Sequence, residues 1–209
     1  GIEQIEEESG QILDPATELD AVNQAIGQGD VQVTPLQVAT FMAAIANGGT
    51  LYRPQIVEKV QPVDGDPVLT FKPEARGTLL LRQENLDILR EALLMVTQNK
   101  RGTATFNLRG LQFDVAGKTG TAESGNGKSH AWFAGYTLNE ENTGLPDIAI
   151  AVIVENIGEG SEYAVPLFRA MVESYYYGSP QRPYYDWGQI GYPPYTPTPF
   201  GIPAPTDEN

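Results

Sequence analysis

The chain has 209 residues, enough for one domain with a sizeable core at the usual ~100–200 residues per domain. Its formal net charge of −14 argues against nucleic acid as a partner, because phosphate binding wants a basic surface. With no Cys and a single His, His130, the chain excludes thiolate chemistry, disulfides, Cys-based zinc sites and His-rich metal sites; no metal and no other cofactor is expected.

Taken in chain order, residues 1–33 read as loop and turn, with an acidic opening, Asp14-Pro15, and then Gly27-Gln28-Gly29-Asp30. Thr34 and Pro35 supply an N-cap and a first-turn proline for a helix that carries Leu36, Val38, Ala39, Phe41, Met42, Ile45 and Ala46 at near-helical spacing. Asn47-Gly48-Gly49 ends it. Residues 55–71 predict a short hairpin, Ile56-Val57 and Val68-Leu69 flanking an Asp64-Gly65 turn. Leu86, Leu89, Leu93 and Val96 predict a second helix over about 83–98, closed by Lys100 and Arg101, which suit the negative end of its dipole, before Gly102.

Three strands are predicted next, over 112–122, 130–137 and 147–155. The first two are joined at Gly125-Asn126-Gly127, and the third is apolar throughout, as a strand covered on both faces is. A last helix covers about 163–177, with Pro166 tolerated in its first turn. From Gly178 the composition turns to Pro, Tyr and Gly and periodicity is lost. The chain therefore divides into residues 1–177 and a Pro/Tyr-rich tail, 178–209.

No stretch reaches the ~20 apolar residues of a membrane span, the longest strong run being Ile148 to Val154. The acidic N-terminus is the opposite of a signal peptide's basic n-region. A chain that opens on Gly1 without Met is expected to be a piece of a longer product.

The residues with the clearest chemistry are Lys118-Thr119-Gly120-Thr121, within the run Val115 to Glu123. Lys-Thr-Gly on a strand is one of three signatures of serine acyl-transfer enzymes of the penicillin-binding and β-lactamase type. A lysine ammonium beside a serine hydroxyl stabilises alkoxide character and relays protons. The hydroxyls of Thr119 and Thr121 can bind a substrate carboxylate, and Gly120 leaves room for a ligand lying along the strand. The backbone N–H of Thr121 can form half of an oxyanion hole. Strict alternation puts Lys118 and Thr119 on opposite faces, so both reach one cleft only from an edge or twisted strand.

Beyond this motif the ordered set Gly27-Gln28-Gly29, Thr34-Pro35-Leu36-Gln37, Ala43 to Gly49, Tyr52-Arg53-Pro54, Gly102-Thr103-Ala104, Val115 to Glu123, Ala131 to Tyr136 and Ala164 to Phe168 resembles the class B penicillin-binding proteins over residues 1–177. That resemblance implies an α+β fold, in part of the β-lactamase/penicillin-binding transpeptidase type, with helices on both faces of an antiparallel sheet that has five strands in the family. It also implies a D,D-transpeptidase that cross-links peptidoglycan stem peptides through an acyl-serine and is acylated by β-lactams. Lys118 and Thr121 carry over as catalytic, and Thr119, Gly120 and Thr121 as substrate-binding.

The family's nucleophile is the Ser of Ser-x-x-Lys, assisted by Ser-x-Asn, and both lie N-terminal to the matched region. This chain has no Ser-x-x-Lys. Thr97-Gln98-Asn99-Lys100 copies the spacing at the end of an amphipathic helix, the wrong place. Ser124-Gly125-Asn126 follows Lys-Thr-Gly instead of preceding it and reads as a turn. The chain is therefore expected to be inactive alone. It should pair with an upstream segment of the same domain or with another copy of itself, and belong to an extracytoplasmic protein anchored in the membrane through a segment outside this chain.

Other candidates read as structural. Gly27-Gln28-Gly29 has Gln32 where a dinucleotide fingerprint needs its third glycine. His130 reads as a structural or rim histidine, Glu6-Glu7-Glu8 as a solvated run, Glu123 as a possible substrate-facing group, and Tyr175-Tyr176-Tyr177 as packing between helix and tail. Two further functions fit the same residues: a non-catalytic interaction module on this scaffold, and part of a serine β-lactamase. The Thr-Pro-Leu-Gln helix and the hairpin after it match the transpeptidases better.

Overall fold

The central element is a three-stranded antiparallel sheet in the C-terminal half of the chain, covered by helices on both faces. The computed structural model describes residues 8–125, 127–139 and 144–182. Glu6 and Glu7 of the acidic run, Asn126 of the hairpin turn and the tail beyond residue 182 lie outside the described residues. The order of elements is β1 (Gln11–Ile12), α1 (Glu18–Ala25), β2 (Val31–Gln32), α2 (Pro35–Ala46), β3 (Thr50–Tyr52), β4 (Lys59–Val60), β5 (Leu69–Thr70), β6 (Ala75–Thr78), α3 (Gln83–Gln98), α4 (Thr105–Leu108), β7 (Asp114–Ala122), β8 (His130–Leu138), β9 (Ala149–Val154) and α5 (Ala164–Tyr177).

The strands β7, β8 and β9 pair in that order, with Gly117 opposite Gly135, Gly120 opposite Trp132 and Phe133 opposite Val152. Alternation sends Val115, Ala131, Phe133 and Val152 to one face, where they meet Val165, Phe168 and Val172 of α5 together with Leu108 of α4. The Phe133 and Phe168 rings meet edge to face with centroids 4.8 Å apart. The opposite face carries Ala116, Ala134, Ala149 and Ala151 with the buried ring of Tyr136, against Met42 and Ile45 of α2 and Leu86 and Leu93 of α3. Helices thus cover both faces, the α+β arrangement that the resemblance implies.

The helix expected from Thr34 forms over Pro35–Ala46, with Thr34 and Gln37 capping each other reciprocally. Its last turn has no basic residue of its own. Arg90 of α3 supplies the charge instead, donating to the carbonyls of Ile45 and Ala46 and so fastening α3 to α2. The helices expected at 83–98 and 163–177 and the three strands also form, with ends displaced by two residues or fewer.

Two readings need correction. Residues 1–33 are not all loop: Thr17 N-caps α1 in a capping box with Asp20, and β1 pairs with β2. Asp20 occupies the position where that pattern more often has Glu or Gln, and no residue of α1 is buried. The 55–71 hairpin exists, but its first arm is Lys59–Val60 opposite Leu69–Thr70, leaving 61–68 as the loop. Both arms are exposed, so nothing in the pattern of apolar residues fixed their register. An outer pair, β3 with β6, encloses that hairpin and was not expected; nor was the short α4. Tyr176 packs on Phe113 with ring centroids 4.7 Å apart and shares a hydrogen bond with the Thr137 hydroxyl at 2.7 Å, while the tail side of the packing expected for Tyr175 to Tyr177 falls almost wholly outside the described residues. Burial raises the Tyr176 hydroxyl's pKa above its ordinary value.

A buried ion pair ties α5 to its surroundings. Arg169 Nε donates to Glu173 Oε1 at 2.7 Å, Arg169 Nη1 donates to the carbonyls of Asn107 and Arg109, and Glu173 Oε2 accepts from Gln181 N. The loop from β9 to α5 then lies directly on the sheet. A Cβ at Gly160 would stand 2.2 Å from Trp132 O and 2.5 Å from Gly120 O, so only glycine permits this approach.

Two stability outcomes follow. In urea unfolding, Glu173→Ala or Arg169→Met should each cost about 3–5 kcal/mol by stranding a buried charge, and replacing both by apolar residues should recover most of the loss. Gly160→Ala should cost about 1–3 kcal/mol, since the added methyl must lift the loop from the sheet; a change near zero would mean the loop is not seated there.

Candidate functional site

All four motif residues lie on β7, which is an edge of the three-stranded sheet among the described residues. Gly117, one residue earlier, has no room for a side chain, because a Cβ there would come 2.6 Å from the Phe133 ring. Gly120 sits opposite Trp132, whose Cβ an added methyl would approach to 3.1 Å. The strand is therefore held flat against β8 immediately before and within the motif.

Lys118 is exposed, and its ammonium folds along the strand edge to donate to the Thr119 carbonyl at 2.7 Å. The Thr119 hydroxyl is 2.8 Å from that of Thr103, in the turn before α4. Thr121 is exposed; its hydroxyl donates to Glu159 Oε2 at 2.7 Å, and its carbonyl accepts from Gln28 Nε2 at 3.3 Å. That last contact has a geometric consequence. In an antiparallel ladder a residue's N–H and C=O point to the same side. Since Gln28 reaches the Thr121 carbonyl from outside the sheet, the Thr121 amide also faces the outer edge, away from β8. A rim with an ammonium, two hydroxyls and an outward amide can bind an anion or polarise a carbonyl oxygen. The requirement for an edge strand is met by the topology.

Sequence reasoning missed Gln28, Thr103 and Glu159 as neighbours of the motif. The first two lie in Gly27-Gln28-Gly29 and Gly102-Thr103-Ala104, both visible as motifs but silent about where they pack. Glu159 had no local signal. It comes from the loop after β9, 38 residues away in sequence.

The remaining candidates have structural partners or lie at the surface. Thr97, in the Thr-x-x-Lys mimic, is buried, its hydroxyl within reach of the carbonyls of Leu94 and Val115 so that it joins α3 to β7. Ser124 bonds the Lys128 carbonyl across a turn in which Gly125 and Gly127 have positive φ. His130 Nδ1 accepts from Asn156 N at 3.1 Å, fixing the start of the loop that carries Glu159. Glu123 is exposed. Among the described residues no three His, Cys, Asp or Glu side chains gather to hold a metal ion. A groove of about 270 Å³ lies between α2, β3 and Ala149 of β9, lined by Leu36, Ala39, Ala43 and Tyr52, and none of residues 118–121 lines it.

This geometry can be set beside known proteins. The family described as penicillin binding protein transpeptidase domain matches residues 1–173. Peptidoglycan D,D-transpeptidase PbpA of Mycolicibacterium smegmatis is 35% identical over 178 residues, which cover 80% of this chain and 33% of that protein. Peptidoglycan D,D-transpeptidase MrdA of Haemophilus influenzae is 28% identical over 181 residues, covering 77% of this chain and 26% of that protein. Among solved structures, the imipenem acyl-enzyme complex of penicillin-binding protein A from M. tuberculosis aligns with a TM-score of 0.68 at 27% identity, over 80% of this chain and 36% of that one. Pseudomonas aeruginosa PBP2 in complex with WCK 5153 aligns with a TM-score of 0.58 at 33% identity, over 73% of this chain and 31% of that one. The chain spans about a third or less of the length of the curated relatives it matches. Matched over most of its own length in sequence and fold, the chain belongs to the penicillin-binding protein transpeptidase family.

Proposed function

We propose that this chain is the C-terminal part of a D,D-transpeptidase domain that cross-links peptidoglycan stem peptides through an acyl-serine, and that the serine arrives from an upstream segment of the same domain. The observation that carries this reading is β7 itself: an edge strand with Lys118 exposed and the Thr121 amide turned outward, in a chain of this family without Ser-x-x-Lys.

In the complete domain the serine Oγ attacks the carbonyl of the stem peptide and its proton passes to a neighbouring base. The electron pair of the C=O bond moves onto oxygen, and the Thr121 N–H stabilises that charge, a contribution of about 3–4 kcal/mol for one such donor. Collapse expels the terminal residue as a protonated amine and leaves the acyl-serine, which the amine of a second stem peptide then attacks. Lys118 holds positive charge at the rim, favouring the serine alkoxide and guiding protons. Thr119 and Thr121 present hydroxyls to the substrate's carboxylate, and Gly120 lets its backbone lie against the strand. A β-lactam follows the same route as far as the acyl-serine.

The upstream segment also completes the fold in this reading. The outer edge of β9 is unpaired among the described residues, and Leu19 and Val22 of α1 with Ile26 at its C-cap are exposed at helical spacing. No described helix is long and apolar enough to cross a membrane, and we place the whole protein outside the cytoplasm, anchored by a segment beyond this chain. Residues 178–209 stand in this reading as an appendage to the domain.

Incubation with a fluorescent penicillin tests this directly. The isolated chain should form no covalent adduct, and co-expression with the upstream segment should restore labelling. An adduct on the isolated chain would contradict the assignment of the nucleophile. In the complete domain, Lys118→Ala should lower the acylation rate by about 10²–10⁴-fold without loss of fold by circular dichroism.

A further inference from the structure

Two backbone carbonyls of the motif strand face away from β8, those of Thr119 and Thr121, and each already has a side-chain donor. Lys118 covers the first from within the motif at 2.7 Å. Gln28, 93 residues earlier, covers the second: its Nε2 donates to Thr121 O at 3.3 Å, longer than the usual ~2.9 Å. The backbone of Gln28 is fixed, because its N–H donates to Asn23 O at 2.9 Å where Gly27 and Gly29, both at positive φ, turn the chain beside the end of α1. The contact with β7 is thus made by a side chain reaching across from a helix that buries none of its own residues. A ligand whose reacting carbonyl accepts from the Thr121 N–H lies beside β7 as an antiparallel partner. Residues that face each other in such a pair exchange both bonds, so the ligand residue that brings its C=O to the Thr121 N–H brings its own N–H to the Thr121 carbonyl. That is the place Gln28 occupies.

We propose that Gln28 is a specificity residue that stands in for the ligand's amide N–H, yielding to acyl donors that carry an N–H on the residue whose carbonyl reacts and staying in place for those that do not. The inference deepens the transpeptidase reading and rests on it. Gln28 touches neither the reacting atoms nor the path of the proton. A ligand with the N–H must first displace the carboxamide, and it exchanges one neutral hydrogen bond for another. A ligand without the N–H leaves the carboxamide where it is, and the Thr121 carbonyl stays paired; without Gln28 that carbonyl would be stranded beneath the ligand. Removing the carboxamide therefore acts in opposite directions on the two kinds of ligand.

The test uses the complete domain, upstream segment included, as wild type, Gln28→Met, Gln28→Asn and Gln24→Met. Met keeps the reach of the side chain and removes the donor, while Asn keeps a carboxamide one bond too short. Gln24 donates to Leu13 O at 2.6 Å within the same N-terminal segment and does not touch β7, so its variant reports any loosening of that segment alone. Second-order acylation rates are measured with a penicillin bearing an acylamino arm and with its acyloxy analogue, in which an ester oxygen replaces the N–H. Gln28→Met should raise the acylamino rate and lower the acyloxy rate, so that their ratio rises about five- to tenfold. Gln28→Asn should follow it, and Gln24→Met should leave the ratio within about twofold of wild type. An unchanged ratio in Gln28→Met, including an equal fall for both ligands, or the same rise in Gln24→Met would overturn the inference while leaving the transpeptidase reading intact. If the wild-type domain is acylated by neither ligand, the transpeptidase reading fails and this inference with it.

Discussion

The site depends on how closely the loop after β9 can approach the sheet. Gly160 rests over the backbone of Gly120 and Trp132 at a distance no other residue tolerates, and that contact brings Glu159 to Thr121. The same loop is anchored from the far side by the Asn156 amide on His130 and the paired amides on Ser129. The strand that carries the motif is thus clamped between a neighbour in the sheet and a loop above it. A strand free on both sides would leave the positions of Lys118 and the Thr121 amide undefined.

Packing elsewhere serves this clamp. Phe133 and Phe168 meet on the α5 face of the sheet, while alanines and the Tyr136 ring on the other face pack against α2 and α3. Arg90 joins those two helices through the carbonyl end of α2, and the Arg169–Glu173 pair locks α5 to the segment that leads into β7. Each tie ends within a few residues of the clamp or of the helices that back it. The polar contacts that matter for position are long in sequence and short in space.

That division decides what was legible beforehand. Elements with a core-facing period, α2, α3, β7, β8, β9 and α5, announce themselves, because burial imposes the pattern that is read. α1 and the 59–70 hairpin bury almost nothing, so no core constrains their pattern: α1 reads as loop and the hairpin in the wrong register. The motif on β7 was visible as a tripeptide with a known chemical logic. Its partners Gln28, Thr103 and Glu159 were not, since each comes from a different loop and none follows a spacing rule. The turn character of Ser124 and the structural place of His130 were legible, because both follow from local chemistry.

The chain spans about a third of the length of its PbpA relative, and in the function proposed above the upstream segment meets it at the outer edge of β7. The most direct test is a crystal structure of the complete domain acylated by a penicillin. The account predicts the acyl carbonyl oxygen within about 3 Å of the Thr121 amide nitrogen, with the acyl group on an upstream serine. An acyl oxygen held by other donors, with the Thr121 amide turned toward β8, would contradict it.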